Sequence, residues 1–154
     1  MSVGLREKLA AARKECALHA AILREDLVEH GTVRYDAKRI DELSRSQLRL
    51  LDQMAYRFGK LQSTLGERVM PLLLEMAEEP LAPETTFAQK LQRLERLGLI
   101  PSAEDWRMLR QTRNAIAHEY PEAPAIRAAL LNHFVGSVAQ LLGFWDHIHT
   151  RWPA

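Results

Sequence analysis

Apolar residues in this chain recur in steps of three and four, segment after segment, and only an α-helix puts residues so spaced on one face. Leu5, Leu9, Ala12, Cys16, Ala20, Leu23 and Leu27 form the first stripe, on a helix expected over 4–30. Gly31 follows it, the residue type best suited to the left-handed turn that closes a helix. A second stripe, Leu43, Gln47, Leu50, Met54, Phe58, Leu61 and Leu65, predicts a helix from about Asp36 past residue 60. Gly66 and Pro71 then predict a kink or break, because a proline removes a helix hydrogen bond and clashes with the preceding turn. VMPLLLEMAEE reads as a shorter resumption.

Punctuation further along the chain divides it in the same way. Pro80 and Pro83 mark a loop. A short helix is expected over 86–97, closed by Gly98 with apolar Leu99 behind it in the pattern of a Schellman ending. Ser102 and Asp105 have the spacing of a capping box that opens a fourth long segment. Pro121 and Pro124 separate that segment from a last helix over 125–150. Leu, Ala, Arg, Glu and Gln dominate the composition, whereas the β-branched and aromatic residues that build sheets are sparse. The expectation is an all-α, up-and-down bundle of about five helices, one domain over 1–154.

Several function classes fall away at this level. The one cysteine, Cys16, excludes an internal disulfide and suits a reducing, cytoplasmic setting. Charges fill the N-terminus where a signal peptide would carry its apolar core, and no apolar run approaches the roughly 20 residues of a membrane span. A formal net charge of +1 means that any nucleic-acid site has to be a local patch. No glycine-rich phosphate loop or acidic nucleotidyltransferase pair is present, and no cofactor is expected.

The segment 106–120, WRMLRQTRNAIAHEY, resists explanation as core plus solvated face. Trp106, Leu109, Arg113, Ile116 and Tyr120 share one face, so Arg113 stands where a leucine is expected. A guanidinium placed there needs a carboxylate partner or an anionic ligand, and its planar fork of donors suits phosphate. Asn114 and His118 are four apart and adjacent on the helix surface, where the amide could fix the imidazole tautomer. Arg113 and His118 are five apart, about 140° around an ideal helix, so a straight helix does not aim both at one target. An irregular ending near Pro121, or a second subunit, has to bring them together.

Arg113-Asn114-Ala115-Ile116-Ala117-His118-Glu119-Tyr120 resembles the R-N-x-x-x-H-x-Y signature of HEPN domains, specifically the HepT toxins of toxin–antitoxin pairs. The similarity extends upstream through FAQKLQRLERLGLIPSAEDWRMLR. The resemblance implies a helical bundle that forms a homodimer with two motifs around a shared cleft and cleaves RNA without a metal. On that basis Arg113 binds the scissile phosphate, His118 serves as general base or acid, and Asn114 orients the site. Tyr120 corresponds to the tyrosine that a cognate minimal nucleotidyltransferase antitoxin modifies with AMP. The alternative is a non-catalytic, substrate-binding or regulatory subunit of that nucleotidyltransferase.

Other polar residues have plainer readings. Arg107 and Arg110 either widen an RNA phosphate patch or form a solvated helix face. His133 on the last helix is read as a surface or core-edge histidine, with the cleft as its alternative. Arg45, Arg49, Arg57 and Lys60 read as the exposed face of an amphipathic helix. Asp146, His147 and His149 do not share a helix face, so no metal site is expected of them.

Overall fold

The computed structural model describes residues 2–77, 81–117 (backbone only over 115–117) and 123–151. Seven α-helices occur among the described residues: α1 (Val3–His30), α2 (Ala37–Asp41), α3 (Arg45–Thr64), α4 (Met70–Met76), α5 (Phe87–Arg96), α6 (Ala103–Ala117) and α7 (Pro124–Thr150). No strand appears among them, and the fold is all-α.

Cross-helix pairs fix the directions of the long helices. Asp26 meets Gln53, His19 meets Arg57 and Glu15 meets Thr64, so α1 and α3 run antiparallel. Gly59 faces Arg113 and Gly66 faces Trp106, which makes α3 and α6 antiparallel. Thr112 with His133, and Trp106 with Phe144, do the same for α6 and α7. The four long helices therefore alternate in direction, with α2, α4 and α5 as short additions. Leu23, Met54, Phe58, Leu61, Leu65, Trp106, Leu109 and Val138 lie in the main core. A smaller cluster gathers Tyr35, Ile40, Leu51, Ala128 and Leu131.

Local signals account for most of the helix ends. Gly31 has φ 67° and its N–H bonds the Leu27 carbonyl, closing α1. Thr86 and Gln89 cap α5 reciprocally. Gly98 has φ 74°, with its N–H on the Glu95 carbonyl (2.9 Å) and the Leu99 N–H on the Leu94 carbonyl (3.0 Å). That pair of bonds is the Schellman ending expected from the sequence. Ser102 Oγ accepts the Asp105 N–H at 3.1 Å, opening α6.

The segment after Asp36 departs from expectation. It is not one helix from residue 36: α2 ends at Asp41, and Ser44 with Gln47 forms a capping box that restarts the chain as α3. Gln47 is thus an exposed cap residue and not part of a core stripe, which on α3 runs Leu51, Met54, Phe58, Leu61. Gly66 and Pro71 do not break the chain either. Leu65–Val69 forms one π turn, and the Met70 N–H reaches back to the Leu65 carbonyl. Widening the turn just before Pro71 accommodates a residue with no N–H to donate, so α4 continues directly.

The last helix occurs where the sequence put it, starting one residue earlier, at Pro124. By length and composition α7 could cross a bilayer. Here it packs Phe134, Val138, Leu141, Phe144, Trp145 and Ile148 into the bundle interior. The loop residues 78–80 lie outside the described residues.

Candidate functional site

A cleft lies beside the π turn, between α3, α4, α5 and α6. Its walls enclose about 410 Å³, within the range of small-molecule sites. Met70, Leu74, Leu94 and Phe87 supply apolar surface, and Trp106 forms part of the lining from α6. Three cations join them: Lys90 from α5, and Arg110 and Arg113 from α6. Glu67 is the one acidic residue of the lining among the described residues.

Two glycines on α3 and its continuation bring α6 close. A Cβ on Gly66 would lie 2.9 Å from Trp106 Cζ2, and one on Gly59 would lie 3.7 Å from Arg113 Nε. Gly59 and Gly66 are seven residues apart, as are Trp106 and Arg113, so each large side chain of α6 lies over a gap in α3. Trp106 is fully buried and Arg113 half-buried.

Arg113 has no carboxylate within ion-pair distance among the described residues, and neither do Arg110 and Lys90. Arg110 instead lies over the Phe87 ring, 4.9 Å from its centroid. Several arginines elsewhere are matched. Arg24 pairs with Asp146, Arg68 with Glu15, and Arg107 with Glu104 at 3.3 Å. Arg57 donates to His19 Nδ1 at 3.0 Å. The cleft therefore collects unmatched positive charge, which favours an anion in a partly desolvated setting. Two lining side chains also carry buried polar atoms without a partner among the described residues, the Trp106 indole nitrogen and Gln62 Oε1.

Among the residues singled out in the sequence, Arg113 and Arg110 come together here, while Arg107 is drawn off into its pair with Glu104. Asn114 is exposed. His118 and Tyr120, with the Ile116 side chain of the same stripe, lie outside the described residues. His133 is not directed at this cleft. Its Nε2 is 3.2 Å from Thr112 Oγ1, and the Thr112 hydroxyl donates to the Met108 carbonyl, so Nε2 carries the proton in that contact.

Asp146 is occupied by Arg24, His147 Nε2 contacts the Gly98 carbonyl at 3.0 Å, and His149 stacks on Trp145. No group of three or more potential metal ligands occurs among the described residues. Arg45 and Arg49 are exposed, whereas Arg57 and Lys60 flank the Tyr56 ring. Lys90, Phe87 and Gln62 were not legible as site residues, since each sits on an ordinary amphipathic pattern.

The fold and cleft define an all-α helical-bundle protein with a cation-lined cavity on one flank of α6. No protein-family model, curated protein or solved structure matches the chain.

Proposed function

We propose that this chain is a metal-independent endoribonuclease of the HepT toxin kind, acting as a cytoplasmic homodimer. The reading rests on the resemblance of 113–120 to the HEPN signature. The observation that supports it is the half-buried Arg113 guanidinium, unmatched by any described carboxylate, on the wall of a cationic cleft. A phosphodiester gains charge on its non-bridging oxygens as it is attacked, and a planar guanidinium stabilises that charge through paired N–H donors. His118 is assigned proton transfer, since an imidazole titrates near neutrality. Asn114, four residues before it, is assigned its orientation. Adenylation of Tyr120 by a partner nucleotidyltransferase would add a bulky anion beside the phosphate site and block RNA by sterics and like-charge repulsion.

Purified protein incubated with RNA in EDTA tests the reading. Cleavage is expected, and His118→Ala is expected to reduce it by about 10²- to 10⁴-fold without unfolding the protein. Arg113→Ala is expected to be at least as damaging, with Arg113→Lys a poor rescue because the planar fork is gone. A wild-type protein that cuts no RNA and leaves growth unaffected on overexpression would leave the non-catalytic subunit reading in its place.

A further inference from the structure

The cleft beside Arg113 has more in it than phosphate binding requires. A phosphate site needs cations and N–H donors; this one also has an aromatic and aliphatic wall and a volume of about 410 Å³. Its cations are gathered at Lys90, Arg110 and Arg113, while Phe87, Leu74 and Leu94 provide apolar surface. Phe87 is 37% exposed, unusual for a phenyl ring, and one face of it is held by Arg110. Behind this wall the Trp106 indole N–H and Gln62 Oε1 are buried without a partner among the described residues. A flat aromatic base joined to an anion matches the apolar wall and the cations.

We infer that the cleft is a nucleotide subsite: it takes one base of single-stranded RNA against Phe87, with the attached phosphate at Arg110 and Arg113. The inference rests on the ribonuclease reading for its substrate class, but it concerns binding and not the cleavage step. Stacking on an aromatic ring, supported by the guanidinium, gives affinity that tolerates any base.

Calorimetric titration with the four ribonucleoside 5′-monophosphates, and separately with inorganic phosphate, tests this on the full chain. One nucleotide per chain is expected to bind at least about tenfold more tightly than phosphate. Phe87→Ala, with circular dichroism verifying that the helices persist, is expected to weaken the nucleotide by about tenfold and leave phosphate binding unchanged. Ser63→Phe, which adds a ring to the α3 wall, should likewise exclude the nucleotide, with circular dichroism verifying that the helices persist. Phosphate binding as tightly as every nucleotide, or nucleotide affinity unaltered in both variants, would overturn the subsite. Neither result touches the nuclease reading, which RNA cleavage scores on its own. Nucleotide binding that meets these criteria in a protein that cuts no RNA would uphold the subsite and remove the enzyme.

Discussion

Gly66 and Trp106 approach so closely that a single methyl group does not fit between them: a Cβ on Gly66 would stand 2.9 Å from Trp106 Cζ2. The ring is fully buried and packs against Phe144, their centroids 5.1 Å apart. Gly59, one heptad earlier, has 3.7 Å to Arg113 Nε, an ordinary contact with a flexible side chain. The two glycines therefore answer the same substitution oppositely. Gly66→Ala is expected to destabilise the fold by about 1–3 kcal/mol through overpacking. Gly59→Ala is expected to leave stability unchanged or raise it by up to about 1 kcal/mol, since alanine restricts the unfolded chain. Urea unfolding of the two variants beside wild type checks both; equal destabilisation would mean that α6 does not ride over these glycines as described.

Acid sensitivity is built into the α1–α3 seam. Burial first, and then the Arg57 charge, hold the His19 imidazole below its ordinary value of 6.5. The geometry agrees, because Arg57 donates to Nδ1 and a proton there would break that bond. Glu15 opposes the shift from the other side, 3.7 Å from Nε2, and Lys60 adds to it. With the folded value depressed, the unfolded chain binds the extra proton first, so stability is complete above about pH 6.5 and falls as pH drops through the folded value. Asp26 works in the other direction: burial raises its carboxyl above 3.8, so its contribution is complete below that value and is lost as pH rises through the folded one. His19→Gln is expected to flatten the acid-side loss, and Asp26→Asn the loss on rising pH. Melting temperatures from about pH 3 to about pH 8, a range that spans the ordinary values of both groups, separate the two.

Cys16 should be chemically silent in the native protein. It is fully buried in the core, and burial, with the Glu15 charge beside it, pushes the thiol up to about 12. Only the thiolate reacts at a useful rate. A disulfide reagent at neutral pH is expected to find no reactive thiol until denaturant is added, and then one. Rapid native labelling would show that α1 opens locally.

Regulation has a test independent of cleavage. If Tyr120 is the acceptor, as proposed, incubation with a cognate nucleotidyltransferase and ATP is expected to add mass in steps of one AMP, and Tyr120→Phe is expected to abolish the addition while the protein stays folded, because only a hydroxyl is removed. Equal labelling of the phenylalanine variant would take Tyr120 out of the site.

What the sequence alone determined is what is decided within about one helical turn. The endings at Gly31 and Gly98, the Thr86 and Ser102 starts and the stripe on α1 depend on neighbours a few residues away, and they occur where the pattern put them. The same local logic read Gln47 as core, because a glutamine on a helical spacing looks the same whether it packs or caps. It read Gly66 and Pro71 as an interruption, because whether a strained turn breaks or widens into a π turn depends on what packs across it, here Trp106. Arg113 was visible as an odd residue on an apolar face; its lack of a described partner was not. That Lys90 and Phe87 on α5 meet Arg110 and Arg113 on α6 over a gap left by α3 is a fact of helix packing. Convergence of charges from separate helices is fixed by the distances between elements, which no spacing along a single helix encodes.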